Sequence, residues 1–356
     1  MAKKIRVNLG PRSYDILIGS GLLNNIRSQV LKLKKKQVVI VTDVQVGALY
    51  APHVKKSLKG IECHVITMPA GEKYKTLYAA SAIYDKLVSL KLNRDGLIIA
   101  LGGGVIGDLA GFAAATYMRG IDLIQVPTSL LAMVDAAIGG KTAVDHKKGK
   151  NLIGVFYQPR LVIADVGVLN TLPPMEFKNG LAEVLKYGFI KDPRIVKMIE
   201  SNPKVNSAFL EKIVYLCARI KAEVVSKDER ELSGYRMILN FGHTIGHAVE
   251  ALGGYSRIKH GEAVGFGMAA ATLIALKLRM INKLNFEKML YLIARLKLPI
   301  QLNYKADAIL KALQLDKKTR SGKVRFVLPK KIGQVVVRDN VPDQVILSAL
   351  KGLGCK

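Results

Sequence analysis

The sequence lacks the features that mark secreted or membrane-embedded proteins. Its three cysteines, Cys63, Cys217 and Cys355, are widely spaced and odd in number, so neither a disulfide framework nor a zinc ribbon is expected. The longest uncharged apolar run covers residues 263–276, which is shorter than the roughly 18 to 20 residues that cross a bilayer. No apolar segment of a secretory signal follows the basic N-terminus. We therefore expect a cytoplasmic protein without a membrane anchor.

Acidic residues are also scarce. The chain has 27 Asp and Glu against 55 Lys and Arg, which gives a formal net charge of +28. Such an excess suggests nucleic acid or an acidic membrane surface as a partner. However, the basic residues are scattered, and no zinc-finger spacing, basic heptad region or aromatic RNA-binding signature accompanies them. We expect a solvated basic surface with a few lysines for an anionic substrate, and no specific nucleic acid partner.

Two domains are expected, because 356 residues are about twice the usual length of one domain. Apolar runs alternate with amphipathic segments over residues 5–90, which is typical of an α/β unit. Beyond the double proline Pro173-Pro174 the segments become long and helical. The sequence predicts an α/β fold class, with a Rossmann-like dinucleotide-binding domain over residues 1–172 and a mostly α-helical domain, binding metal and substrate, over residues 173–356.

A glycine-rich loop follows the apolar strand "DGLIIAL". Gly102, Gly104 and Gly107 stand two and three residues apart, as in the dinucleotide fingerprint. The loop opens a helix, so its backbone N–H groups would favour a diphosphate. A tight turn without a ligand is the alternative. Asp43, at the end of the apolar run "VVIVTD", is placed where a carboxylate accepts hydrogen bonds from a ribose hydroxyl.

Histidines provide a second candidate site. His243 and His247 lie one helical turn apart and share a face, but the glutamate of the zinc-protease motif H-E-x-x-H is absent between them. Further candidate ligands are His260 in "KHGEAV" and Glu183 in "GLAEVLKYG", where Lys186 follows three residues later. Histidine and carboxylate ligands with a vacant position would suit a divalent metal that polarises a hydroxyl or carbonyl.

Seven segments form a specific set. In chain order they are GEKYKT, LGGGVIGDLAGFAAATYMRG, QVPTSLLAMVDAAIGGKTAVDHKKGKNLIGVFYQP, GLAEVLKYG, KAEVVSKDERE, LNFGHTIGHAVE and HGEAVGFGM. Together they resemble the 3-dehydroquinate synthase family of sugar phosphate cyclases, and the match runs from about Asp15 to Leu328. The spacing between the acidic "DERE" segment and Arg236 is one residue longer than is usual in that family.

The resemblance implies a cytoplasmic homodimer with NAD in its N-terminal domain and a divalent metal, zinc or alternatively cobalt, in its helical domain. The implied substrate is a phosphorylated sugar acid, 3-deoxy-D-arabino-heptulosonate 7-phosphate. It would be converted to 3-dehydroquinate and phosphate by transient oxidation with NAD, phosphate elimination, re-reduction and intramolecular aldol closure. The alternatives are another NAD- and metal-dependent sugar phosphate cyclase and a metal-dependent polyol dehydrogenase. The lysine-rich substrate set favours the first assignment.

The resemblance also implies site residues, position by position. The metal ligands would be Glu183, His243 and His260, with His247 as a neighbouring or proton-relay residue. NAD would contact Glu72, Lys75, Gly104, Val105, Ile106, Gly107, Asp108, Thr128, Ser129, Lys141, Lys150, Leu169, Asn170, Thr171 and Leu172, in addition to Asp43 proposed above from its position. The substrate would contact Asp135, Lys141, Asn151, Lys186, Lys221, Arg236, Asn240 and one of Lys317 and Lys318. An arginine matching Arg119 would reach the substrate phosphate across a dimer interface.

Overall fold

The structure of the protein is a computed structural model. It describes residues 2–201, 204–254, 257–319 and 324–356, without the side chains of residues 316–319. The strands are β1 (Lys3–Val7), β2 (Tyr14–Gly19), β3 (Gln37–Asp43), β4 (Glu62–Met68), β5 (Leu97–Gly102), β6 (Asp122–Pro127), β7 (Lys141–His146), β8 (Gly149–Phe156), β9 (Leu161–Asp165), β10 (Arg325–Lys331) and β11 (Gln334–Asp339).

The helices are concentrated in the second half of the chain. They are α1 (Ile26–Lys32), α2 (Val44–Ser57), α3 (Leu77–Ser89), α4 (Gly104–Thr116), α5 (Pro174–Ile190), α6 (Pro193–Glu200), α7 (Ser207–Lys227), α8 (His243–Leu252), α9 (His260–Lys277), α10 (Lys283–Arg295), α11 (Ala306–Thr319) and α12 (Asp343–Gly352). Among the described residues, no helix is both long enough and apolar enough to cross a membrane.

The chain divides into two compact units. The first comprises Met1–Pro173 and Val205–Arg230, and the second comprises Pro174–Lys204 and Glu231–Lys356. This division differs from the boundary expected at residues 172 and 173, because α7 belongs with the first unit. The helix packs against β1 and β2, and the hydroxyl of Ser226 accepts a hydrogen bond of 2.9 Å from the backbone N–H of Asn8.

The first unit is built on a seven-stranded sheet in the order β1-β2-β9-β6-β5-β3-β4. All neighbouring strands are parallel except β1 and β2, which pair antiparallel at one edge. Strand β5 is buried along its whole length, as expected for a central parallel strand that helices cover on both faces. The predicted fold class, an α/β unit with a Rossmann-like parallel sheet followed by helices, is confirmed.

The order of the strands creates a switch point between β3 and β5. From β3 the chain continues to its neighbour β4 on one side, whereas from β5 it continues to β6 on the other. In open parallel sheets, ligands bind in the crevice at the carboxyl ends of two such strands. Asp43 ends β3 and Gly102 ends β5, so the two predicted nucleotide-binding features of the sequence lie at this crevice.

In the second unit, α8 and α9 approach each other closely through glycines. A Cβ atom on Gly267 would overlap the carbonyl oxygen of Gly242, and one on Gly246 would lie 3.1 Å from the carbonyl oxygen of Ala263. Gly242 itself has a φ of 81°, a left-handed conformation that glycine adopts without strain. Because α8 begins at His243 and α9 begins at His260, this contact brings the first turns of the two helices together.

The close contact makes Gly267 sensitive to substitution. Gly267→Ala should destabilise the protein by about 3 kcal/mol, because the new methyl group meets backbone that has no room to move. The free energy of unfolding in urea, followed by circular dichroism, measures the effect. Gly352→Ala is the matched control, since its methyl group would meet only the flexible end of Leu273, at 3.1 Å. Equal unfolding midpoints for the two variants would contradict this account of the helix contact.

Candidate active site

Three predicted metal ligands meet in the second unit. Glu183 lies on α5, His243 opens α8 and His260 opens α9. The Nε2 atoms of His243 and His260 lie 3.4 Å and 3.5 Å from the same carboxylate oxygen of Glu183. One ligand atom from each of the three residues falls within 4.8 Å of the others. A Cβ atom on Gly261 would lie 2.6 Å from the Cα of Asn179, so glycine is what allows α9 to start against α5.

The geometry of this cluster suits a tetrahedral metal ion. Ligand atoms bonded to zinc at 2.0–2.1 Å in a tetrahedron are separated by about 3.4 Å, close to the two distances observed. Both oxygens of Glu183 are buried, and neither accepts a hydrogen bond of good geometry from any residue that the structure describes. A buried carboxylate is costly without cations nearby, and Lys186 supplies one of them from the same helix. The donor set therefore fits zinc or cobalt and leaves a coordination position for a substrate.

The second ring nitrogen of each histidine, Nδ1, also has a partner. The Nδ1 of His243 lies 3.2 Å from the carbonyl oxygen of Phe241, and the Nδ1 of His260 lies 3.5 Å from the carboxylate of Glu250. In a neutral imidazole, donation from Nδ1–H to such an acceptor leaves Nε2 without a proton and able to bind a metal. Both Nε2 atoms face Glu183, as a metal site requires.

Electrostatics favour positive charge at the cluster. Burial tends to raise the pKa of Glu183, but Lys186, which forms an ion pair with it, and His243 hold that pKa well below its ordinary value. Burial tends to lower the pKa of His260, but Glu183 and Glu250 outweigh it and raise that pKa to about 10. His260 therefore holds its proton tightly, and a divalent metal would replace that proton.

Other predicted residues of the second unit lie on the same helices or just before them. The ring centroid of His247 is 5.3 Å from that of His243 and 6.4 Å from that of His260, so it borders the cluster without belonging to the ligand set. Arg236 is buried, with its Nε 3.6 Å from Glu231. Asn240 is half-buried, two residues before the glycine that precedes His243.

The side chains of two predicted substrate residues, Lys317 and Lys318, lie outside the described part of the structure. Both residues lie in the last turn of α11. Their assignment to the substrate stays a prediction.

In the first unit, the glycine loop has the form of an anion site. Gly104 begins α4 directly after β5, and Val105 and Ile106 continue its first turn. A Cβ atom on Gly107 would lie 2.9 Å from the side-chain oxygen of Gln125 on β6, so this glycine allows α4 to pack closely on the sheet. Thr128 and Ser129 follow β6, and the Thr128 N–H donates to the carbonyl oxygen of Gly102 over 3.0 Å. The first turn of α4 thus stands at the switch point.

A charged network surrounds this turn. The Nζ of Lys75, which is buried, lies 2.5 Å from the carboxylate of Asp108 and 2.5 Å from the side-chain oxygen of Asn151. Lys150 pairs with Glu72 at 3.6 Å. Burial tends to lower the pKa of Lys75, but Asp108 and Glu72 raise it above its ordinary value. The structure therefore brings together five predicted site residues, and Lys75 stays charged among them.

The remaining predicted residues of the first unit are spread over four places. Lys221 pairs with Asp135 at 2.8 Å and also contacts its carbonyl oxygen at 2.7 Å. Lys141 is exposed at the start of β7. Asp43 accepts hydrogen bonds from the backbone N–H groups of Gln45 and Val46 and so caps α2. The segment Leu169, Asn170, Thr171 and Leu172 lies after β9, where Thr171 contacts the hydroxyl of Tyr50 at 2.6 Å.

Sequence reasoning missed two carboxylates that hold site residues in place. Glu250 contacts His260, as described above. Asp145 accepts a hydrogen bond of 2.8 Å from the backbone N–H of Asn151, whose φ of 56° is left-handed. Glu250 follows His243 by seven residues, so a helical count would have placed it on the same face. No comparable sequence signal marks Asp145.

Solved structures with the same architecture define the class of enzyme. The chain is similar to 2-deoxy-scyllo-inosose synthase solved with carbaglucose-6-phosphate, NAD+ and Co2+, with 27% identity, a TM-score of 0.89, and coverage of 98% of this chain and 99% of that one. It is also similar to 2-epi-5-epi-valiolone synthase from Streptomyces hygroscopicus solved with NAD+ and Zn2+, with 27% identity, a TM-score of 0.86 and coverage of 96% of both chains. The fold is that of the sugar phosphate cyclase class.

Sequence relatives identify the family within that class. The family model for the N-terminal part of 3-dehydroquinate synthase matches residues 65–179, and the model for its C-terminal part matches residues 180–319. The 3-dehydroquinate synthase of Nostoc punctiforme is 48% identical over 364 residues, covering 99% of this chain and 100% of the relative. That of Desulforamulus reducens is 48% identical over 355 residues, covering 97% and 99%. The chain belongs to the 3-dehydroquinate synthase family.

The network around Lys75 yields a prediction. Lys75→Met should destabilise the protein by about 3 kcal/mol, because it leaves the carboxylate of Asp108 in a partly buried place without its closest cation. Lys73→Met is the control, since Lys73 is exposed and lies over the ring of Tyr74, 4.9 Å from its centroid. Urea unfolding of both variants measures the difference. A Lys75→Met variant as stable as the Lys73→Met variant would show that the ion pair does not support this turn.

Proposed function

We propose that the protein converts 3-deoxy-D-arabino-heptulosonate 7-phosphate to 3-dehydroquinate and phosphate, as a phosphate-eliminating carbon–oxygen lyase of the shikimate pathway. The observation that carries the proposal is the Glu183, His243 and His260 cluster, found in a chain 48% identical to 3-dehydroquinate synthases over nearly its full length. Its three cysteines are thiols and form no disulfide, which suits work in a reducing cytoplasm.

Two cofactors follow from the proposal. When bound, NAD+ supplies a reversible hydride acceptor, and a divalent metal polarises the substrate oxygens. The metal would be held by Glu183 and by the Nε2 atoms of His243 and His260. NAD would occupy the switch point of the sheet, with its diphosphate at the first turn of α4. Asp43 would accept from a ribose hydroxyl through the carboxylate oxygen that does not cap α2.

Buried cations suit a substrate that carries a phosphate and a carboxylate. Lys186 and Arg236 are each almost fully buried in the second unit, and Lys221 is buried in the first. Their carboxylate partners hold them in place before any ligand arrives. Fixed cations in a dry environment bind anionic groups strongly and favour the negative charge that develops as phosphate leaves. Asn151, held against Lys75, would add a neutral hydrogen-bonding group.

Two other activities, those of a polyol dehydrogenase and of another sugar phosphate cyclase, have less support. Glycerol dehydrogenase from Schizosaccharomyces pombe resembles the chain with a TM-score of 0.62 but only 19% identity, which supports a shared fold alone. The two sugar phosphate cyclase structures described above are each 27% identical to this chain, well below the 48% of the 3-dehydroquinate synthases described there. The cations described above also match a phosphorylated acid better than a neutral polyol.

Release of phosphate tests the proposal. Purified protein supplied with NAD+ and zinc should release phosphate from 3-deoxy-D-arabino-heptulosonate 7-phosphate, and the release should stop when a chelator removes the metal. Absorbance of reduced cofactor, followed in the same cuvette, should not rise, because each hydride returns to the substrate. Accumulation of NADH on simple polyols would favour a dehydrogenase instead. Release from hexose phosphates alone would favour another cyclase.

We further propose that the protein is a homodimer in which Arg119 serves the partner's site. Arg119 is exposed and makes no ion pair with any residue that the structure describes. Arg119 has a φ of 64° and Met118 a φ of 47°, so the backbone of two consecutive residues is left-handed. Proteins tolerate such strain mainly at functional positions. Exposed apolar side chains occur nearby in sequence or on β8: Met118, Leu152, Val155 and Phe156. These features suit an interface.

Complementation between variants tests this arrangement. Arg119→Ala and His243→Ala should each be inactive alone, because one lacks the phosphate-binding arginine and the other lacks a metal ligand. After co-expression, mixed dimers should contain one complete site, so about a quarter of the wild-type activity should return. If Arg119 serves its own chain, no mixture of the two variants regains activity. Sedimentation equilibrium of each variant provides the control that dimers form.

A further inference from the structure

Glu250 lies behind His260 rather than beside the metal position. It is 4% exposed, and its carboxylate lies 3.5 Å from Nδ1 of His260. The other ring nitrogen, Nε2, lies 3.5 Å from Glu183. The imidazole ring therefore stands between two carboxylates, one on the side of the metal ligands and one on the opposite side.

The two histidine ligands differ in what supports them. His243 donates from its Nδ1 to a neutral carbonyl oxygen, that of Phe241, two residues earlier in its own segment. His260 meets a charged group that comes from a different helix, since Glu250 lies on α8 and His260 on α9. A carboxylate behind a ligating imidazole fixes the ring and its tautomer and makes the outer nitrogen a stronger donor.

The position of Glu250 depends on the same helix contact that assembles the ligands. His243 and Glu250 are two helical turns apart on α8, and α9 packs against this helix at Gly246 and Gly267. His260 is the first residue of α9. A contact from α8 thus fixes the side chain of a residue at the very start of its helix.

We propose that Glu250 is the positioning residue of the metal site: it holds Nδ1–H of His260 so that Nε2 points at the metal. The inference rests on the metal binding proposed above. It makes α8 the source of one ligand, His243, and of the group that orients a second ligand, His260. His247 lies between His243 and Glu250 on α8 and has neither of these roles.

The affinity for Co2+ tests the role. Glu250→Gln keeps the shape of the side chain and removes its charge, and it should weaken Co2+ binding by about 10- to 100-fold. Glu250→Asp keeps the charge but shortens the reach, and it should weaken binding as well and shift the visible absorption bands of bound Co2+. Glu262→Gln is the matched control. Glu262 lies two residues after His260 but contacts Lys178 at 3.2 Å, and this variant should bind Co2+ within about twofold of wild type.

The protonation of His260 can also be measured directly in the wild-type protein. Nitrogen-15 spectra of the histidines in the zinc-loaded wild-type protein should show His260 with its proton on Nδ1 and its Nε2 bound to metal. Metal bound through Nδ1, or Glu250→Gln binding Co2+ as tightly as wild type with an unchanged spectrum, would overturn the proposal for Glu250 alone. Wild-type protein that binds no divalent metal would overturn the proposed function together with this inference. Circular dichroism of each metal-free variant separates both outcomes from misfolding.

Discussion

The charge of one buried carboxylate organises the second unit. Glu183 is 1% exposed, and an ionised carboxylate at such a place is costly unless positive groups contact it. Lys186 supplies one such group from the next turn of the same helix, and His243 and His260 approach from two other helices. Glycines at the helix contacts make that approach possible. The packing of three helices and the assembly of the three candidate metal ligands are therefore one structural event.

A similar arrangement governs the first unit at the switch point of its sheet. Lys75 is buried between Asp108, near the start of α4, and Asn151, on the hairpin of β7 and β8. One lysine thus connects the glycine loop to a strand pair that lies outside the main sheet. In both units a paired charge fixes residues that the family assignment connects with ligands.

Much of this organisation follows from sequence alone, because strand and helix periodicity and the glycine loop are local signals. The residues did not decide between His243, His247 and His260 as ligands; the resemblance chose two of them, and the distances to Glu183 agree with that choice. The placement of α7 with the first unit was not predicted, since a helical pattern in the sequence does not show which sheet the helix packs on. Glu250 was missed for a related reason: its contact depends on how α9 crosses α8, which no spacing within one helix encodes.

Under the proposed metal binding, α8 supplies one metal ligand and not two. X-ray diffraction from zinc-loaded crystals at the zinc absorption edge distinguishes the two cases. We expect one strong anomalous peak within about 2.0–2.2 Å of the Glu183 carboxylate and of the Nε2 atoms of His243 and His260, with His247 outside bonding distance. A peak bonded to both His243 and His247, or no ordered peak between these side chains, would contradict it.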